Sequence, residues 1–350
     1  MKKVALITFH VSLNYGANLQ TYATSRVLRS MGYDVELIDI RIEEKNTCLQ
    51  NLLLYPKKLS FVGFRKKFYP PLTRRYKSVE DLRNNPPRAD IFMVGSDQTW
   101  NYKITRDIED AFLLNFGPAQ TPRIGYSVSF GNDDWLPRDN GHLEHLRKCA
   151  SVFSRISARE TEGVDIFRDL FGINVPNTLD PTLLNDKYPE ITGVIKPKHN
   201  IVSYKLVPDD GYYSLLNKIR IESGKDVRLL GKLKPEKNFR YEYPQSIRAW
   251  IKAIAQSDLV MTDSFHGVAF SILYERDFLV FAGNPNRMGR INTLLSNLGL
   301  TDRLWSGEYK EEEILRLCNK PINYPVVTSK LRKLRVESLD FLRMALNDAL

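Results

Sequence analysis

The chain has 350 residues, 43% of them hydrophobic, with 51 Lys and Arg against 41 Asp and Glu for a formal net charge of +10. Domains typically hold about 100 to 200 residues, so two cores are expected, and the basic excess favours anionic partners such as a membrane surface, nucleic acid or phosphorylated metabolites. Cys48, Cys149 and Cys318 are too few and too scattered for a disulfide framework, and no apolar run reaches the roughly 20 residues that span a bilayer.

The basic start Met1-Lys2-Lys3 leads into a short apolar run with no small-residue cleavage site behind it, so Val4 to Phe9 reads as a first strand rather than a secretory signal. A cytoplasmic protein is the expectation. Gly16 to Met31 follows as a helix stopped by Gly32, and Val35 to Ile40 as a second strand, a βαβ opening for a parallel sheet. Between the first strand and the helix stands Asn14-Tyr15-Gly16-Ala17-Asn18-Leu19-Gln20, a turn whose amides, Asn14 and Asn18, either hold a ligand or only shape the chain. It is not G-x-G-x-x-G and no Walker sequence occurs, so neither a dinucleotide site nor a P-loop is supported. From Tyr55 to Lys77 eight Lys or Arg residues alternate with Phe61, Phe64, Phe68, Tyr69 and Tyr76 around Pro70-Pro71. Such an arm reads as a surface helix with its aromatic face turned inward, or as a segment that lies on an anionic membrane.

Regular order returns with strands at Ile91 to Val94, Ile124 to Ser129 and Val152 to Ile156, closing a first domain over residues 1–184. Asn185 to His199, rich in Pro and Lys, reads as a linker. The strands Ile201 to Tyr204, Val227 to Leu230, Leu259 to Met261 and Phe278 to Phe281 then alternate with helical stretches in a second domain over 185–327. Residues 328–350 have helical periodicity and are expected to pack back on the first domain. The fold class is α/β, two doubly wound halves. Ligands of such sheets bind beyond the carboxyl ends of the strands, which with two halves facing each other means a central cleft.

The richest segment is Thr262-Asp263-Ser264-Phe265-His266-Gly267, which sets an imidazole at a strand-to-helix turn. Asp263 and Ser264 are good N-caps, and the first-turn N–H groups with the helix dipole make an anion site beside His266. The plainer alternative is a His that only packs and hydrogen-bonds. In Val94-Gly95-Ser96-Asp97-Gln98-Thr99-Trp100-Asn101, polar side chains beside an indole suit a sugar, or else Ser96 or Asp97 caps a helix and Trp100 is core. Arg159 of Ser157-Ala158-Arg159-Glu160 suits a carboxylate or phosphate, or pairs locally with Glu160. Lys205, Arg287 and Arg290 add cations after later strands, and Asp180 of Asp180-Pro181-Thr182 is a turn residue or a carboxylate facing the cleft. His142 and His145 are spaced i, i+3 with no Cys or carboxylate set near them in sequence, so no metal site is expected.

Taken in order, these turns, with Ser129-Phe130-Gly131, resemble the polysaccharide pyruvyl transferase family over nearly the whole chain. The resemblance implies two Rossmann-like halves of the GT-B kind and transfer of pyruvate from phosphoenolpyruvate to a hexose, commonly galactose, as a ketal in capsule or exopolysaccharide synthesis. It implies no cofactor besides the phosphoenolpyruvate donor and suggests an acceptor carried on a lipid, in which case the basic arm from Tyr55 to Lys77 would help hold the protein peripherally at the cytoplasmic leaflet; no nucleic acid partner is expected. Several family members have Arg two residues before the motif His, where this chain has Ser264, which leaves the phosphate to Arg287, Arg290 or Lys205. On this reading His266 is acid and base, Asp180 or Asp97 handles the acceptor, and Arg159, with Phe265, Gly267, Asn14, Asn18, Ser96, Gln98 and Trp100, contributes binding. The alternatives are a metal-independent glycosyltransferase using a nucleotide sugar, and a non-catalytic protein whose basic arm docks on a polyanion or membrane.

Overall fold

A computed structural model describes residues 1–42, 48–131, 134–231, 239–242, 246–283 and 288–349, with 48–51 and 241–242 described by backbone alone. Arg287 lies outside the described residues. The chain divides into two compact units, one of Met1–Leu52, Arg65–Asn185 and Arg332–Leu350, the other of Leu53–Phe64 and Asp186–Leu331.

The first unit is built on β1 (Lys3–Ile7), β2 (Asp34–Ile40), β3 (Leu72–Tyr76), β4 (Ile91–Val94), β5 (Arg123–Val128) and β6 (Arg155–Ala158). All pair in parallel, in the order β3-β2-β1-β4-β5-β6. Strands covered by helices on both faces must be apolar throughout, and β1 and β4 are: Val4 to Ile7 and Ile91 to Val94 are all buried. The helix Tyr15–Ser30 starts where the Asn14 side chain accepts from Ala17 N–H at 3.2 Å and ends before Gly32, whose φ of +89° only glycine adopts without strain. From Arg332 on, the last helix, Tyr324–Asp348, belongs to the same unit and is tied in by Leu179 N–H donating to Ser338 Oγ at 3.0 Å and by Arg335 donating to the Leu183 and Asn185 carbonyls.

The second unit repeats the plan with β7 (Ile201–Tyr204), β8 (Val227–Leu230), β9 (Arg240–Glu242), β10 (Leu259–Thr262), β11 (Asp277–Phe281) and β12 (Leu304–Trp305), again all parallel. Their order, β12-β11-β10-β7-β8-β9, is the same winding as in the first sheet read from the other edge. Each sheet therefore reverses direction once, between β1 and β4 and between β7 and β10. A parallel sheet opens a crevice at that reversal, beyond the carboxyl ends of the two central strands.

Three local readings need correction. The third strand of the later group begins at Arg155, not Val152: Ser151 to Phe153 finish the helix Asn140–Ala150, with Phe153 N–H on the Ala150 carbonyl at 3.2 Å, and Val152 is exposed. The basic arm is a helix over Cys48–Phe68, with Phe61 and Phe64 buried as one of its two readings expected, but its last part is the strand β3, whose exposed Arg74 and Arg75 hid it behind its charge. The stretch read as a linker carries a short helix, Pro189–Thr192, and a fully buried Tyr188.

Candidate functional site

In the second unit the crevice is shaped by the turn that ends β10. Thr262 Oγ1 donates to the Tyr204 carbonyl at 2.6 Å, joining the ends of β10 and β7, and accepts from Ser264 N–H at 3.0 Å. Ser264 is the N-cap of the helix Phe265–Leu273, its hydroxyl accepting from Gly267 N–H at 3.4 Å. Gly267 is required by close approach: a Cβ there would lie 2.4 Å from Thr262 Oγ1. Asp263 turns the other way and accepts from Leu206 and Val207 N–H at 2.6 and 3.1 Å, fixing the loop that follows β7.

This framework places Lys205 and His266 at one edge. Lys205, at the end of β7, holds its Nζ 3.9 Å from Asp263 Oδ2, with both side chains almost wholly buried, and 5.3 Å above the Tyr212 ring. His266, in the first turn of the helix, is 8% exposed and stands edge-on to Phe265 with ring centroids 5.2 Å apart. The positive end of the helix dipole adds to both, so a small anion that reaches this edge meets an ammonium, an imidazole and backbone N–H groups. Arg290 follows β11, the neighbour of β10, and opens the helix Gly289–Leu298 at the same carboxyl edge. Ser264, Phe265, His266, Gly267 and Lys205 are thus brought together.

In the first unit the crevice holds a different chemistry. Arg159, at the end of β6, is completely buried and faces three carboxylates: Nη1 donates to Asp180 Oδ2 at 2.9 Å, Nη2 lies 3.4 Å from Asp97 Oδ1, and Nε lies 3.8 Å from Glu160 Oε2. Burial works against its charge, but Asp97, Asp180 and Glu160 more than offset this and raise its pKa. Ser96 Oγ adds a bond to Asp180 Oδ2 at 3.0 Å, and the other Asp180 oxygen accepts from Thr182 N–H and Oγ1. Asp180 is therefore a cap and an ion-pair anchor, sealed from solvent. Asp97 differs from the other two carboxylates. It is partly exposed, its Oδ1 accepts from Gln98 N–H and Arg159, and among the described residues its Oδ2 has no partner. Its φ of 84° is a backbone conformation that non-glycine residues rarely hold, and such strain gathers at functional sites.

The cluster sets three acids against one base, so it suits neutral hydroxyls better than a doubly charged anion. That shifts Arg159 from the donor-phosphate role expected of it to a structural counter-ion. Trp100 also changes place: it is 2% exposed, packed against Phe130, Phe153, Phe167 and Phe171, and has no open face for a sugar. The Asn18 amide is consumed by the Ser12 and Asn14 carbonyls and by the Tyr69 hydroxyl, and Asn14 is a cap. Gln98 stays beside Asp97, its Oε1 accepting from Asn101, and it fills the space a side chain on Gly131 would need.

Two clusters escaped the sequence. His10, just past β1, is buried with Nδ1 3.1 Å from the Thr8 carbonyl and Nε2 3.1 Å from Asp39 Oδ1, while Arg41 grips the same carboxylate with two bonds of 2.6 Å. Burial alone would push the Asp39 pKa up, but His10 and Arg41 hold it well below the usual carboxylate range. His142 and His145 are not bare surface residues: His142 is buried against Glu109, and His145 meets Asp110 at 2.6 Å and Cys149 Sγ at 3.7 Å. The donor atoms of Asp110, His145 and Cys149 lie within 4.8 Å of one another, the carboxylate and thiol that the spacing of the two His failed to disclose. Arg83 also holds Asp110, so the group is a satisfied ion-pair network as it stands.

The model of the polysaccharide pyruvyl transferase family matches residues 14–285. No curated protein matches the sequence. Among solved structures the chain is similar to the UDP-GlcNAc 2-epimerase of Neisseria meningitidis, with a TM-score of 0.56, 11% identity and coverage of 97% of this chain and 99% of that one. It is similar to a UDP-glucosyltransferase from Polygonum tinctorium, with a TM-score of 0.57, 9% identity and coverage of 99% and 98%. A putative UDP-N-acetylglucosamine 2-epimerase from Listeria monocytogenes gives 0.56, 12%, and 94% and 90%. At such identities the likeness is one of fold, and the fold is GT-B-like.

Proposed function

The chain belongs to the polysaccharide pyruvyl transferase family, and from that premise we propose that it moves pyruvate from phosphoenolpyruvate onto two hydroxyls of a hexose, a galactose residue, as a ketal. One observation carries the donor half of this reading: His266, Lys205 and a helix N-terminus gather at the strand reversal of the second unit. Phosphoenolpyruvate offers a phosphate and a carboxylate, and charge-assisted bonds to such groups contribute about 1.5 to 3 kcal/mol each. Arg290 is the further cation in reach of that edge by topology, and with Lys205 it takes the place of the Arg that relatives carry where this chain has Ser264.

His266 protonates the methylene carbon of the enol, and the electron pair of the double bond forms the new C–H bond. The resulting oxocarbenium-like C2 is attacked by one sugar hydroxyl, whose proton passes to the now basic imidazole. Phosphate then leaves with its bonding pair, and the second hydroxyl closes the ketal, its proton departing with the phosphate. General acid-base help of this kind is worth about 10² to 10⁴ in rate. Asp97, with its open Oδ2, is the base that orients an acceptor hydroxyl, and Arg159 is a positioning residue that holds Asp97 and Asp180 in place.

The test offers phosphoenolpyruvate with a panel of free and lipid-linked galactosides and measures inorganic phosphate and product mass. A product heavier by pyruvate less water supports the reading. Release of a nucleoside diphosphate from a nucleotide sugar, with no phosphate from phosphoenolpyruvate, replaces it with glycosyl transfer.

A further inference from the structure

The helix Cys48–Phe68 carries an exposed apolar stripe. Leu52, Tyr55, Leu59 and Val62 are 72%, 57%, 54% and 39% exposed. Their spacing of three, four and three residues puts Leu52, Tyr55, Leu59 and Val62 on one face of the helix. Phe61 and Phe64, on the opposite side, are buried, so the helix already has an inward face and the outward one is a second apolar surface. Scattered exposed apolar residues are ordinary, but a continuous row of them marks a surface that meets something.

The charge around the stripe says what. Lys66 and Lys67 continue it at the carboxyl end and are exposed, Lys58 flanks it, and Arg74, Arg75 and Lys77 follow on β3 and just past it, while Lys57 and Arg65 turn toward Phe61 and the Ser12 carbonyl. From Asn46 to Ser78 there is not one Asp or Glu. A protein partner would be expected to meet a mixed field of charge, whereas an apolar row bordered by cations of one sign suits the headgroup boundary of an anionic bilayer. Among the described residues no helix is long and apolar enough to cross a membrane, so contact would be in the interface plane. We propose that the outward face of this helix is a docking surface for an anionic lipid bilayer, with Leu52, Tyr55, Leu59 and Val62 inserted and Lys66 and Lys67 at the phosphates. The proposal does not depend on the reaction assigned above.

The experiment is vesicle co-sedimentation of the full chain with phosphatidylglycerol-rich and pure phosphatidylcholine vesicles. Leu59→Glu with Val62→Glu removes the apolar row and Lys66→Gln with Lys67→Gln the charge; all four side chains are exposed, and circular dichroism checks the fold. The wild type should bind the anionic vesicles and not the neutral ones. The Lys pair should lower partitioning about 30-fold at low salt, and the Leu59 and Val62 pair should abolish it. Equal binding to both vesicles, no binding to either, or binding unchanged by both variant pairs overturns the proposal. So does loss of a concentration-dependent dimer in Leu59→Glu, which would assign the stripe to a second copy of the chain. Capture on heparin without binding to vesicles would assign the charge to a soluble polyanion and equally refute it.

Discussion

Replacing Arg159 by Met separates two roles that predict opposite outcomes. The side chain is fully buried between Asp180, whose carboxylate is also fully buried, Glu160, and the partly exposed Asp97. Met preserves much of the volume and removes the charge, so at least two carboxylates are left in the interior without their counter-ion. Breaking a buried pair in this way costs about 3 to 5 kcal/mol, because the remaining charge has lost its water and its partner. For a domain of this size each kcal/mol moves Tm by about 2 to 4 °C, so the first unit should melt about 6 to 20 °C lower. Arg159→Lys keeps the charge but loses the fork that spans Asp180 and Asp97, and should fall between. The assay is thermal melting of the purified chain by circular dichroism, beside the dependence of phosphate release on phosphoenolpyruvate. A variant with unchanged Tm and a KM for phosphoenolpyruvate raised more than tenfold would refute the counter-ion argument and return Arg159 to the donor.

Other substitutions read other parts of the account. Asp97→Asn keeps the shape and the tolerance for positive φ but removes the base; turnover should drop about 10² to 10⁴-fold with Tm within a few degrees of wild type. Gly267→Ala drives a methyl into Thr262, whose hydroxyl holds both Tyr204 and Ser264, and should cost about 1 to 3 kcal/mol by overpacking, seen as a lower denaturant midpoint together with lower kcat. Asp39→Asn keeps one acceptor for His10 and Arg41 Nε but removes the charge and sets an NH2 donor against Arg41 Nη2, and should destabilise by about 1.5 to 3 kcal/mol at neutral pH. Because the folded pKa of Asp39 is depressed, its contribution is full above the ordinary carboxylate value of 3.8 and fades below it, so the gap to wild type should narrow in denaturant titrations as pH falls through that value.

The sheet was legible wherever a strand is buried on both faces. Ile91–Val94, Ile201–Tyr204 and Val227–Leu230 are apolar runs, or nearly so, cut off by polar residues, and their bounds in the fold match those read from the chain. The edge strand β3, Leu72 to Tyr76, shows two adjacent Arg and a Thr among its five residues because it is largely exposed to water, and periodicity could not find it. At the sites, residue type marked the turns while distance along the chain hid the partners. Ser264 as N-cap follows from the local sequence, since a cap needs only its own helix. That Arg159 would be enclosed by Asp97 and Asp180, 62 and 21 residues away, does not follow. Nor does the pairing of His10 with Asp39 across two strands, or of His145 with Asp110, 35 residues earlier. Trp100 misled for a related reason: an indole among polar residues looks the same in sequence whether it faces a ligand or four phenyl rings.

The account rests on a proton delivered to the enol of phosphoenolpyruvate from the turn after β10. The direct measurement is phosphate release from phosphoenolpyruvate, in the presence of a galactoside acceptor, by wild type and by His266→Ala proteins shown to melt at the same temperature. The prediction is acceptor-dependent release by the wild type and at least a hundredfold loss in the variant. Undiminished release by His266→Ala, or release by the wild type that ignores the acceptor, would contradict it.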